Sequence, residues 1–292
     1  MMVRLSDSTP GSSDGFWERF RRRTNKLLGR PATVDVGTLS SLLTQLRDKT
    51  EEQLRKPLES IVVVSPNLRG LRSEDFNDAI EYAGLKSLMG VFPSRIPDAP
   101  AAFAGNGFGL CSNYTRLYEC EKEEEEMPLE QVLAIHYTRR ALSVTLTPLT
   151  KAFSFGDDQS LIDWDAGLDA LSSYPDASTY WNAVHNKIQE VPNTATGWGR
   201  RPVTKLLVLG ESALDPTFLK VLQDALRGIR ISDTALIYVA TDGPDPFYAA
   251  AKGAAEFAKR LQEAPRNCVE PEHCQQNRQD LNWEAQDELW CI

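Results

Sequence analysis

Histidine is scarce in this chain: His136, His185 and His273 are the only three in 292 residues, and each sits on a different segment. No two have the spacing of a metal pair and none has an evident nucleophile beside it, which argues against zinc hydrolysis and triad chemistry. Long apolar runs are missing as well. Nothing approaches the ~20 residues a membrane-spanning helix needs, and the N-terminus lacks a signal-peptide core. Basic charge is in deficit, with 32 Lys and Arg against 41 Asp and Glu, a net charge of −9. Nucleic-acid binding requires a basic surface for phosphate contacts, so no nucleic-acid partner is expected. As it stands the chain reads as cytoplasmic, and a missing N-terminal segment would make it secretory or membrane-anchored.

What is present fits a folded protein, at 41% hydrophobic and 25% charged residues. Five cysteines occur. Cys111 and Cys120 bracket "CSNYTRLYEC", and Cys268 and Cys274 bracket "CVEPEHC". Neither pair has zinc-knuckle spacing, and no metal is expected. An oxidising compartment would turn the two pairs into local disulfides, and a reducing one would leave free thiols. Asn113 opens an Asn-Tyr-Thr glycosylation sequon inside the first loop.

The pattern along the chain suggests five regions. Residues 1–33 read as a disordered or loosely helical extension around "FWERFRRR", the alternative being a membrane-surface or partner helix. Residues 34–120 alternate helix and strand: Leu39, Leu42, Leu43, Leu46 and Leu54 share a helix face, "SIVVVSP" is a buried strand, and "SEDFNDAIEYAGL" is a helix with Ser73 as N-cap. The acidic run 121–128 reads as a linker loop. Residues 129–264 hold two antiparallel strands turning near 138–140, an amphipathic helix "STYWNAVHNKIQEV", a strand–turn–helix at "KLLVLGESALDP", a strand "TALIYVA" and a last helix. Residues 265–292 are a polar tail. The order implies two α/β lobes.

Four stretches, in order, resemble the nucleotide-binding domain of Hsp70 chaperones in the actin-like ATPase superfamily. These are the helix–strand–Pro–helix ending at "EYAGLK", the strand–turn–strand "QVLAIHYTRRALSVTLT", the turn "KLLVLGESALDP", and "DPFYAAAKGAAEFAKRL". The likeness is closer to fungal proteins carrying that domain in degenerate form. It implies ribonuclease H-like lobes, truncated at the N-terminus, with ATP and Mg as the ancestral ligands.

The ligand motifs depart from that pattern. The family's phosphate hairpin is glycine-rich so that backbone N–H groups can reach phosphate. Here it reads His136-Tyr137-Thr138-Arg139-Arg140-Ala141, with no glycine. Arg139 and Arg140 offer a side-chain route to phosphate. "DVGT", residues 35–38, superficially matches the first phosphate loop but reads as a helix entry capped by Asp35 or Thr38. At the adenosine turn Gly210 and Ser212 match, while Glu211 and Leu214 replace a glycine and the adenine-stacking arginine. Asp215 and Pro216 form a helix cap. "GESALD" lacks the last glycine of a hydrolase elbow, "GNGFG" reads as a glycine-rich turn, and "DWDAGLDA" as a solvated acidic loop. The expectation is therefore a non-catalytic pseudo-ATPase that binds a protein or small molecule and needs no cofactor. The alternatives are a weak ATPase, or a fragment of a longer one lacking its first phosphate loop.

Overall fold

The computed structural model describes residues 15–68, 70–89, 95–153, 158–238 and 245–263. The chain divides into two compact units, one up to Asp98 and one from Ala99 onward.

In the first unit the basic-aromatic patch is an α-helix, α1 (Phe16–Leu27). It is held, rather than frayed: Arg22 is 7% exposed and its guanidinium donates to Asp75 and Asp78, both at 2.7 Å. A helix α2 (Val34–Leu54) follows. Its cap is Thr33, whose Oγ1 accepts from the Val36 N–H at 3.2 Å, and neither Asp35 nor Thr38. "DVGT" is thus the first turn of a helix. The expected leucine stripe is half exposed: Leu39 is buried, but Leu42, Leu46 and Leu54 are 46–58% exposed. α2 packs on α3 (Ser73–Tyr82), which spans 10 residues against 21 in α2, and Leu43 lies against Ile80, Ala83 and Leu85. Arg72, not Ser73, occupies the N-cap position of α3, and the Asp75 carboxylate accepts from its N–H at 2.9 Å. "SIVVVSP" forms two short pieces instead of one buried strand. β1 (Ser60–Ile61) pairs parallel with β3 (Lys86–Ser87), and β2 (Val64–Ser65) with β4 (Ile96–Pro97). The strand changes partner midway, and its side chains stay half-buried.

The second unit is built on a five-stranded mixed sheet in the order β7-β6-β5-β8-β9. β5 (Glu130–Tyr137) and β6 (Leu142–Leu149) form the expected hairpin, with His136 opposite Ser143, and β7 (Gln159–Asp163) extends the meander. β8 (Val203–Leu209) lies parallel to β5, and β9 (Ile231–Tyr238) parallel to β8. Parallel neighbours need long crossovers. These are α6 (Ala177–Thr194), capped by Asp176, and α7 (Pro216–Leu226), capped by Asp215 with Pro216 at its first position.

Strand alternation sorts the core into two layers. Leu133, Ile135, Tyr137, Leu206 and Val208 face Tyr180, Val184 and Ile188 of α6 and Phe218 and Leu222 of α7. Val132, Ala134, Leu207 and Leu209 face the opposite way, toward α4 (Asp98–Gly105) and α8 (Ala249–Glu263). α4 and α8 meet backbone to backbone. A Cβ on Gly105 would lie 1.9 Å from the Ala249 carbonyl oxygen, and one on Gly253 would lie 1.7 Å from that of Ala101. The "AAAKGAA" run is therefore a helix-crossing motif, because only glycine lets the two backbones approach this closely. The acidic residues 121–125, expected in a loop, belong to a helix α5 (Leu117–Glu125). No helix among the described residues is long and apolar enough to cross a membrane.

Candidate functional site

β5 and β8 run parallel and in register, with His136 beside Leu209, so both end at the same edge of the sheet. Two turns that lie far apart in sequence thereby become neighbours. One is the hairpin Thr138–Ala141, and the other is Gly210–Asp215. The Ser212 N–H donates to the Tyr137 carbonyl at 3.3 Å, tying the second turn to the end of β5.

Gly210 has φ +101°, and a Cβ there would lie 2.3 Å from the Tyr137 oxygen and 2.9 Å from the His136 ring. The glycine is thus required by the crossing of two backbones, whatever binds nearby. Ser212 is 6% exposed, and its carbonyl accepts from the Asp215 N–H at 3.1 Å. Asp215 Oδ1 then accepts from the N–H groups of Thr217 and Phe218, both at 2.9 Å. Leu214 is half exposed.

Every N–H of the hairpin has an internal acceptor. Thr138 donates to the Ala141 carbonyl at 3.0 Å. Arg140 and Ala141 donate to Thr138 Oγ1 at 3.2 and 2.9 Å. Arg139 donates to Glu211 Oε1 at 2.9 Å. The Glu211 carboxylate thus occupies the hairpin amide of Arg139. The guanidinium groups turn the other way: Arg139 Nε lies 2.9 Å and Arg140 Nε 3.9 Å from the Asp169 carboxylate. "DWDAGLDA" supplies Asp169 from a pair of 3₁₀ turns, Trp164–Ala166 and Leu168–Ser173. Its Gly167 packs so closely on the hairpin that a Cβ would lie 2.3 Å from the Arg140 carbonyl carbon. This segment is structured by the hairpin, where a solvated loop was expected.

Behind the hairpin lies a buried polar pair. The Tyr137 and Tyr180 hydroxyls are 2.9 Å apart, and Tyr180 also donates toward the Gly167 and Ala166 carbonyls at 2.8 and 3.1 Å. Burial, reinforced by the bond to Tyr180, raises the Tyr137 pKa far above the ordinary phenol value, and burial also raises that of Tyr180. Both stay neutral and hold the hairpin by hydrogen bonds. The signal for this pair was absent from the sequence, because aromatic residues on a strand and a helix first read as core.

The remaining expected sites lie elsewhere. Cys111 and Cys120 stand in disulfide geometry with Cα atoms 5.1 Å apart, closing the loop that carries exposed Asn113. The Glu124 carboxylate lies near both sulfurs, but sulfurs joined to each other are not thiolate ligands. Cys268 and Cys274 lie outside the described residues. At the other end of the sheet, a cleft of about 400 Å³ is lined by Leu146, Val203, Ile229, Arg200, Arg201 and Arg230 among others. None of the expected site residues borders it. No protein-family model matches the chain, and no curated protein matches it.

Proposed function

We propose that the chain is a non-catalytic, pseudo-ATPase member of the actin/Hsp70-type nucleotide-binding domains, acting by binding another molecule. The meander β7-β6-β5, continued by parallel β8 and β9 through crossover helices, supports a ribonuclease H-like lobe. The adjacency of the hairpin and the Gly210 turn supports descent from a shared ligand site. One observation carries the loss of function: the hairpin N–H groups at Thr138 to Ala141 are all occupied internally, the Arg139 N–H by Glu211. A phosphate would have to displace a carboxylate and then sit among Glu211 and Asp169. Like charges at such range disfavour it.

The test is thermal unfolding with and without Mg-ATP. A ligand at 100 times its Kd stabilises by about 2.7 kcal/mol, so true binding gives a visible rise in Tm. No rise is expected. A magnesium-dependent rise would overturn the proposal, and its loss in Arg139→Ala/Arg140→Ala would then assign those side chains to the phosphate of a weak ATPase.

A further inference from the structure

We infer that α1 is a docking helix for an anionic lipid surface, independently of the site above. The argument begins with what fixes its rotation. Arg22 and Lys26, one turn apart, point to α3: Arg22 bonds Asp75 and Asp78, and Lys26 bonds Asp78 and Glu81 at 2.8 and 2.6 Å. Those bonds outweigh the burial that opposes the Arg22 charge, so the guanidinium stays ionised at every working pH.

With the basic face turned inward, the apolar face is turned out. At ~100° per residue, Phe16, Trp17, Phe20, Leu27 and Leu28 fall within one arc, opposite Arg22 and Lys26. Their exposures are 69%, 77%, 57%, 88% and 62%. In an ordinary globular helix this stripe faces the core. Here it faces solvent, and the ring centroids of Phe16 and Trp17, then Trp17 and Phe20, lie 5.6 and 6.4 Å apart as one continuous aromatic patch.

Charge decides the occupant. The exposed Arg21 borders the arc on one side, and the exposed Arg23 and Arg19 on the other. Among the described residues these three make no ion pair. Residues 15–30 hold six Lys and Arg and one Glu, in a chain whose net charge is −9. An aromatic and leucine face between arginine flanks is what an interfacial helix presents to acidic headgroups. A second protein fits poorly, because a helix ~18 Å long and ~10 Å wide covers far less than the ~800 Å² per partner of a stable interface.

The experiment is co-sedimentation of the full chain with vesicles of phosphatidylcholine alone, or of phosphatidylcholine with phosphatidylserine. Binding to the phosphatidylserine vesicles, weakening as salt rises, is expected, with little on phosphatidylcholine alone. Trp17→Ser/Phe20→Ser should bind at least tenfold more weakly. Arg19→Gln, Arg21→Gln and Arg23→Gln should each cost about fivefold. All these side chains are exposed, so unchanged thermal melts verify folding of the variants. Failure of the wild-type chain to sediment, or equal sedimentation of the aromatic variant, would overturn the inference. So would self-association in sedimentation velocity that Trp17→Ser/Phe20→Ser removes, which would assign the face to a second copy.

Discussion

Gly210→Ala separates a glycine kept for the fold from one kept for a ligand. Two costs follow from the geometry. Holding an alanine at φ +101° stores about 1–3 kcal/mol of backbone strain. The new Cβ would also stand 2.3 Å from the Tyr137 oxygen, well inside contact distance, so β5 or the turn must shift. Overpacking of this kind costs about 1–3 kcal/mol. The sum is about 2–6 kcal/mol. Gly197→Ala supplies the control, since Gly197 has φ +55° and nothing within 4 Å of a Cβ. It bears the strain alone, about 1–2 kcal/mol. Urea unfolding of both variants reads the difference as a midpoint shift, at about 1–3 kcal/mol per molar for small proteins. Gly210→Ala should be the more destabilised by at least 1 kcal/mol. If it is no worse than Gly197→Ala, the backbone-crossing argument fails, and a ligand becomes the better reason for that glycine.

Three further outcomes are expected. Tyr180 has a carbonyl to donate to, so Tyr137 donates to Tyr180; Tyr137→Phe should cost about 1 kcal/mol and Tyr180→Phe, which strands a buried hydroxyl, about 2–3 kcal/mol. The reverse order in urea unfolding would refute that direction. Asp176 is held down at about 2 by Ser178 and Thr179, below its ordinary 3.8, so its contribution to α6 is full above about pH 4 and fades as pH falls toward 2. Circular dichroism against pH should show that step in the wild type and not in Asp176→Ala; coincident curves would count against it. Reducing Cys111–Cys120 opens a loop of sequence separation 9 and should lower stability by about 2–3 kcal/mol. An unchanged melt in reductant would show that the bond is absent or inert.

Elements whose signals are local were legible in the sequence. The alternation in residues 131–149 specified a hairpin, and Asp215-Pro216 specified the start of α7. The helical part of the extension was legible around "FWERFRRR", but its anchor was not, because Arg22 pairs with Asp75 and Asp78 more than fifty residues away. "SIVVVSP" misled because a run of valines does not tell how many partners a strand has. Part of the candidate site was visible too: the glycine-free hairpin and the Gly210 turn both stood out. Their meeting was not, since it depends on β8 pairing with β5 across the length of β6, β7 and α6. Glu211 could be read as standing where the family has a glycine, but not as the acceptor for the Arg139 amide.

The glycine crossing of α4 and α8 has a consequence for the order in which this unit can close. The described residues of its first core layer fall within 133–231, a span that contains α6 and α7. The second layer joins Ala102 and Phe103 to Ala249, so it waits for the last described helix. During synthesis α4 is available to Leu207 and Leu209 first, and the α8 side of that layer stays open until Ala249 emerges and meets Gly105. A chain interrupted before Ala249 would leave the α8 side of that layer uncovered, and chaperones and proteases recognise exposed apolar surface. The small-residue crossing is thus the last contact of this layer to form.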